Sequence, residues 1–141
     1  VYMKRDIKKA IHYYKEASTF NNQYAKNNLG ILYKNGYKDI VEKSLGLSIV
    51  YFEEAIPQKD DKVSMYNLAH LYFYEDSIKD SIDKSIELLI HSNEKGFLQS
   101  KELLCLTLLK KYNFHLDAIK ENKELSLEIS KIIRNSGLQE Y

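Results

Sequence analysis

The sequence predicts an all-α fold, an α/α superhelix (solenoid) built from about seven helices in antiparallel pairs. Three observations lead to this prediction. Apolar residues recur at helical spacing in successive short segments. Two kinds of segment alternate, and the alternation returns with a period of about 37 residues. Because one pair of such short helices cannot bury both of its apolar stripes, stacked pairs should bury them against one another.

The first predicted helix extends from Asp6 to Thr19. Asp6 is a candidate N-cap, because its carboxylate can accept the free amide hydrogens of the first turn. The apolar stripe of this helix defines the first kind of segment and consists of Ile7, Ala10, Ile11, Tyr13, Tyr14 and Ala17.

The second kind of segment is first met in a helix predicted from Gln23 to Asn35, which Gly36 should end as a left-handed C-cap. The first kind returns from Ser44 to Ile56 and should end at Pro57, because proline cannot donate a hydrogen bond into a continuing helix. The second kind returns from Lys62 to Tyr74.

Two further helices are predicted from Asp83 to Asn93 and from Leu98 to Lys111, with Gly96 in the turn between them. The last predicted helix, from Lys123 to Asn135, is of the first kind. We therefore expect an array over residues 6–137, with about three and a half repeats, that is a fragment of a longer array. The expected units are residues 6–22, 23–59, 62–96 and 98–137.

Small residues recur where the two helices of a pair should touch. On the second kind of helix they are Gly30, Ala69 and Cys105. On the first kind they are Ala10, Ser48, Ser85 and Ser126. A bulky side chain at these positions should push the paired helix away, because a packed interior has no room for extra atoms.

Composition argues against several classes of partner. The net charge is +1, from 21 basic and 20 acidic residues, so the chain lacks the basic stripe that nucleic-acid binding requires. Its apolar runs are too short to insert across a membrane, and its start does not resemble a signal peptide. Cys105 is the single cysteine, which rules out an intramolecular disulfide and permits a reducing compartment. The sequence does not give the location, for which an intracellular (cytoplasmic) one is favoured.

The sequence gives no indication of an enzyme, a cofactor or a metal ion. The glycines are scattered, with no phosphate-binding loop and no Gly-x-Ser-x-Gly motif. The four histidines share no i, i+4 pairing, so no metal site is predicted. The adjacent carboxylates Glu53 and Glu54 should diverge on a helix and cannot share one proton. We therefore expect no catalytic residue, no bound cofactor and no metal ligand.

Two sets of residues carry a resemblance to a known family. The second kind of helix fits a small-x3-Leu-Gly-x-Leu-Tyr-x2-Gly pattern at Ala25, Leu29, Gly30, Leu32, Tyr33 and Gly36. The first kind fits an Asp-x2-Lys-Ala-x2-Tyr-Tyr-x-Lys-Ala pattern at Asp6, Lys9, Ala10, Tyr13, Tyr14, Lys15 and Ala17. On these residues the chain resembles the Sel-1-like repeat family, which is related to tetratricopeptide repeats. The resemblance implies a non-enzymatic scaffold or adaptor that binds partner proteins.

A candidate binding surface follows from counting 100° per residue along the second kind of helix. The positions opposite the expected core are Tyr24, Asn27, Ile31 and Lys34, then Tyr66, His70, Phe73 and Tyr74, then Glu102, Leu106 and Lys110. In tetratricopeptide-like stacks this side lines the concave surface. We expect a peptide or helix of a partner protein to lie there, centred on the second set, with charges at the rim.

Two alternatives to this function remain at this point, and one further expectation concerns self-association. The same side chains could pack within the array, which would then be a purely structural segment. His70 could serve an enzyme accessory or a cryptic hydrolase, although family members linked to β-lactam binding carry cysteine pairs that this chain lacks. Self-association is expected through the last helix, whose apolar stripe is Leu125, Ile129, Ile132 and Ile133.

Overall fold

The structure is a computed structural model that describes residues 2–57, 61–112, 127 and 131, with side chains from residue 6 onward. Over these residues it is an all-α solenoid, as predicted, with six helices instead of about seven. The helices are α1 (Tyr2–Thr19), α2 (Gln23–Asn35), α3 (Leu45–Ala55), α4 (Lys62–Tyr74), α5 (Ser81–Glu94) and α6 (Gln99–Lys111). The predicted helix from Lys123 to Asn135, its apolar stripe and the expected self-association lie outside the described residues, apart from two positions.

The helices follow the alternation seen in the sequence. Helices α2 and α3 form one closely packed pair, and α4 and α5 form the next. Helix α1 packs on α2, and α6 packs on α5. Helix α4 also contacts α2, α3 and α6, so it lies at the centre of the described array. The three helices of the second kind therefore lie side by side in the order α2, α4, α6.

Polar side chains cap the starts of three helices. Backbone amides of the first turns donate to Asn22 (3.0 Å) in α2, to Ser44 (3.3 Å) in α3 and to Asp61 (3.1 Å) in α4. The prediction that Asp6 caps α1 was wrong, because α1 already begins at Tyr2 and Asp6 lies exposed within it. The residues before Asp6 include lysine, arginine and methionine, which extend a helix readily.

Gly36 ends α2 in a backbone conformation that favours glycine. Its φ is 67° and its N–H donates to the Leu32 carbonyl at 2.8 Å. Positive φ was expected, but ψ is 175° and not the value of a left-handed helical turn. The chain therefore leaves α2 extended and forms an isolated bridge between Tyr37 and Val41 before it reaches α3.

In the part of the chain that the structure describes, the core consists of two clusters that share α4. One cluster joins α3 and α4 through Phe52, Leu68, Leu71 and Tyr72. The other joins α4, α5 and α6 through Ala69, Leu89, Leu103, Leu104 and Leu108. Helix α4 thus buries side chains against α3 in one cluster and against α5 and α6 in the other.

A serine hydroxyl aligns the two helices of each complete pair. Ser48 donates from α3 to the Gly30 carbonyl of α2 at 2.6 Å, and Ser85 donates from α5 to the Ala69 carbonyl of α4 at 2.9 Å. All four residues are buried. A Cβ atom on Gly30 would lie 2.5 Å from Cε1 of Phe52, which explains why glycine stands there. The small residues seen in the sequence therefore permit both close approach and a buried hydrogen bond.

Candidate partner-binding face

The predicted binding residues on α2, α4 and α6 lie side by side on three neighbouring helices, and we call this set the aromatic face. Its members are Tyr24, Asn27, Ile31 and Lys34 on α2, Tyr66, His70, Phe73 and Tyr74 on α4, and Glu102, Leu106 and Lys110 on α6. The structure places α4 between the other two helices. Its four ring-bearing residues therefore form the middle of the face.

The rings of α4 contact one another in sequence. The centroids of Tyr66 and His70 are 6.1 Å apart, and those of His70 and Tyr74 are 4.9 Å apart. Phe73 meets Tyr74 edge-on at 4.8 Å. Phe97 of the α5–α6 turn lies 5.1 Å from Tyr66, a contact that the sequence did not predict. Tilted and edge-on geometries at these distances are favourable for aromatic pairs, so the rings support one another.

Exposure divides the face into a supporting layer and an outer layer. Tyr66 and Phe73 are half-buried and pack against the cluster around Leu89. Tyr74, in contrast, is 64% exposed although it rests on His70 and Phe73. Part of the face is thus packed internally, and part of it meets solvent.

Exposed apolar side chains continue the face onto the flanking helices. Tyr24 is 70% exposed and Ile31 is 38% exposed on α2. Leu106 and Leu109 are 46% and 43% exposed on α6. In the register of the repeats, Ile31, His70 and Leu106 are equivalent positions. The aromatic face therefore has an apolar residue on each side of His70.

Lys34 crosses from α2 to α4 and binds His70. The distance between Lys34 Nζ and His70 Nδ1 is 2.6 Å. Because an ammonium group can only donate, the imidazole nitrogen must accept, which requires a neutral ring. Burial lowers the pKa of His70, and the charge of Lys34 lowers it further. Burial also lowers the pKa of Lys34, while the charge of Glu75 opposes that change.

The second connection between α2 and α4 is made by amides. Asn27 Oδ1 accepts from Asn67 Nδ2 at 2.9 Å and lies 3.2 Å from the Ser64 hydroxyl. Asn27 and Lys34 were predicted as groove residues, and both are committed to hydrogen bonds between neighbouring helices. They hold α2 against α4 at two points along the face.

The charges of α6 differ in how firmly they are held. Lys110 Nζ donates to the Phe73 carbonyl at 2.5 Å, pairs with Asp76 at 2.7 Å and lies 4.9 Å from the centre of the Phe73 ring. Glu102 is exposed. The pKa of Tyr66 is raised mainly by the burial of Tyr66 and then by the negative charge of Glu102. Lys110 therefore fixes the end of α4, while Glu102 remains at the solvent-facing edge.

Among the residues that the structure describes, His70 contacts Lys34, Tyr66 and Tyr74. The described residues contain no group of three or more His, Cys, Asp or Glu side chains that could hold a metal ion. Cys105 is half-buried, and burial raises the pKa of its thiol, which makes it a poor nucleophile at neutral pH.

The paired helices, their shared core and the row of similar faces define a helical-repeat protein of the α-solenoid class. A family model for the Sel1 repeat matches residues 1–19, 23–59 and 62–96, which together make up more than half of the chain. The chain therefore belongs to the Sel1 repeat family. Sel1 repeats are generally protein–protein interaction modules, and proteins of this family are typically non-enzymatic scaffolds.

Two further findings bear on this assignment. No curated protein gives a significant match to the chain. No helix among the residues that the structure describes has both the length and the apolar character of a membrane span. The fourth unit, expected over residues 98–137, is not covered by the family match, and the division of the chain into units stays a prediction.

Proposed function

We propose that this chain is a scaffold or adaptor whose aromatic face holds a peptide or helix of a partner protein. The observation that carries the proposal is Tyr74, whose ring is largely exposed although it rests on a cluster of rings. Exposed Ile31 and Leu106 extend the apolar surface to both sides. Contiguous exposed apolar surface is typical of interaction sites, and tyrosine is enriched among the residues that anchor interfaces.

The face suits binding because its support is already in place. Tyr66 and Phe73 are packed from below, and Lys34 and Lys110 are fixed by hydrogen bonds. A partner would thus lose little free energy in ordering the surface it binds. Covering the exposed part of Tyr74 should contribute about 1–2 kcal/mol, roughly a five- to thirtyfold gain in affinity.

The structure also changes which residues should be used to test the face. Removing Tyr66 or Phe73 would disturb the core as well as the surface, because both pack against buried residues. Tyr74 and Leu106 are better probes, since their side chains are largely or partly exposed. Matched control positions lie on helices of the first kind. Tyr13 on α1 has an exposed fraction of 63%, similar to that of Tyr74. Leu47 on α3 has an exposed fraction of 44%, similar to that of Leu106.

The test is selection of a random peptide library on the full chain, followed by affinity measurements with the selected peptides. Tyr74→Ser and Leu106→Ser should each weaken binding about five- to thirtyfold without changing the midpoint of urea unfolding by much. Tyr13→Ser and Leu47→Ser should leave the affinity unchanged. Selected peptides that bind all four variants alike, or lose affinity only with the controls, would place the binding site elsewhere.

No observation favours the alternative of a hydrolase that uses His70. The Nδ1 atom of His70 already accepts a hydrogen bond from Lys34 Nζ. A general base would instead need a free nitrogen within hydrogen-bond reach of a substrate or a nucleophile. A screen with generic ester and β-lactam substrates would reveal turnover, and loss of that turnover in His70→Ala would overturn the assignment as a scaffold.

A further inference from the structure

We propose that the contact between Lys34 and His70 is an acid-sensitive latch, which holds α2 against α4 and keeps the aromatic face in its binding geometry. This inference rests on the proposed function, because the face that the latch controls is the proposed binding surface. The latch joins two repeats, since Lys34 belongs to the α2–α3 pair and His70 to the α4–α5 pair.

The chemistry of the contact makes it depend on protonation. At 2.6 Å, Lys34 Nζ donates to His70 Nδ1, which leaves the ring proton on Nε2. A protonated imidazole carries N–H donors on both nitrogens and has no acceptor. Uptake of one proton therefore replaces a hydrogen bond with two donors and two positive charges at the same place. The Lys34 side chain must then move away from the ring.

The surroundings offer a protonated His70 little compensation. The titratable and charged groups near the latch are Lys34 from α2, Tyr66 and Tyr74 on α4, Glu75 after α4, Lys43 before α3, and Glu102 and Lys110 from α6. Among the described residues, Lys34 is the charged group that acts on His70. Three carboxylates in these surroundings act on other groups, since Glu75 acts on Lys34, Glu102 acts on Tyr66 and Asp76 pairs with Lys110.

The direction of the pKa shift agrees with this geometry. Burial and then the charge of Lys34 lower the pKa of His70 from its ordinary value of 6.5. The neutral ring is therefore the main form at neutral pH, and the latch is closed. As the pH falls below about 6.5, the unfolded chain takes up the proton more readily than the folded chain, so the stabilisation that the neutral ring provides is lost.

The position of the latch explains how it would affect binding. Asn27 and Asn67 hold the first half of α2 against α4, whereas the latch holds the second half. Tyr74 packs on His70 at 4.9 Å, so a change at His70 is passed directly to the most exposed ring of α4. Opening the latch should release the second half of α2 from α4 while the amide contact persists.

The first experiment needs no partner. In NMR spectra of the full chain, Lys34 side-chain protons should show nuclear Overhauser contacts to the His70 ring at about pH 7.5 and lose them as His70 titrates in acid. Lys34→Met should raise the pKa of His70, and Lys34→Glu should raise it further. The exposed residues His12 and His91 supply reference signals. An unchanged pKa of His70 in both variants, or Overhauser contacts that persist in acid, would overturn the latch.

The second experiment measures the link to binding with a peptide selected on the aromatic face. The wild-type chain should bind it about tenfold more weakly at about pH 5 than at about pH 7.5. His70→Gln keeps an acceptor but does not titrate, so its binding should vary less with pH. His91→Gln is the matched control and should behave as the wild type. Equal wild-type affinity at both pH values would overturn the regulatory role.

The two experiments separate the two proposals. If no peptide binds at any pH, the proposed function fails and the regulatory role fails with it, while the NMR titration still decides whether the contact opens in acid. If a peptide binds and depends on Tyr74, but with no dependence on pH, the proposed function stands and the latch is overturned.

Discussion

Replacing Gly30 with alanine should destabilise the chain, although alanine is the better helix former. The added Cβ would lie 2.5, 2.6 and 2.9 Å from three ring carbons of Phe52. Phe52 is fully buried in the cluster between α3 and α4, so its ring cannot simply turn into solvent. Overpacking of this kind costs about 1–3 kcal/mol, and the helix propensity of alanine returns up to about 1 kcal/mol. Because all three distances are below 3 Å, we expect a cost in the upper part of this range and a net loss of about 1–2 kcal/mol.

Gly46 supplies the matched control within the same chain. It lies in α3, and a Cβ there would meet no atom within 4 Å. Gly46→Ala therefore gains helix propensity without a clash and should stabilise the chain by up to about 1 kcal/mol. Urea unfolding followed by far-UV circular dichroism measures the free energy of unfolding of both variants. The slopes of the two transitions should be equal, so that the free energies can be compared.

A second-site change at Phe52 tests the cause. Phe52→Leu alone should destabilise the chain, because it removes buried ring atoms. In the Gly30→Ala background the same change should cost less, since the smaller side chain makes room for the new methyl group. A Gly30→Ala variant as stable as the wild type, or additive effects of the two changes, would show that the clash with Phe52 is not the cause.

Three further outcomes are expected. Ser85→Ala removes the buried hydroxyl that donates to the Ala69 carbonyl and should lower the free energy of unfolding by about 0.5–1.5 kcal/mol. Ser18→Ala, whose bond to the Lys15 carbonyl is exposed, should change it less, and equal effects would contradict the role of the buried bond. The urea midpoint of the wild-type chain should decrease when the pH is lowered from about 7 to about 5, because the folded pKa of His70 is lowered. The decrease should be smaller in His70→Gln, and an equal decrease in both chains would remove His70 as a cause. Iodoacetamide should label Cys105 slowly in the folded chain and faster in urea, since burial raises the pKa of the thiol; equal rates would show that its position offers no protection.

The sequence was sufficient for the helices whose ends carry local signals. The predicted bounds of α2 and α4 are those observed, because Gly36 ends the first and Asp61 caps the second. The predicted start of α1 is wrong, because Asp6 is a residue type that often caps helices but lies inside this one. The six-helix order and the alternation of two kinds of helix follow from spacing alone, which is a property of neighbouring residues in the chain.

Contacts between repeats were not predictable in the same way. Lys34 and His70 are 36 residues apart, and nothing local indicates that a lysine at a groove position will bind a histidine of the next pair. Lys26 is a second example, because it is only 7% exposed and its ammonium reaches Asn21 at 2.8 Å and Glu54 at 3.6 Å. A charged residue suggests exposure, and only the packing of helices reveals the partners that let it be buried.

The hydroxyl-to-carbonyl bonds of Ser48 and Ser85 have a consequence for how such a chain can grow. Each bond joins two helices that are consecutive in the chain, so the alignment of a pair is set by residues that the pair itself carries. A copy of residues 23–59 placed between two pairs would bring its own serine and its own glycine. Lengthening by whole pairs is thus a change that each new unit can accommodate without help from the rest of the molecule.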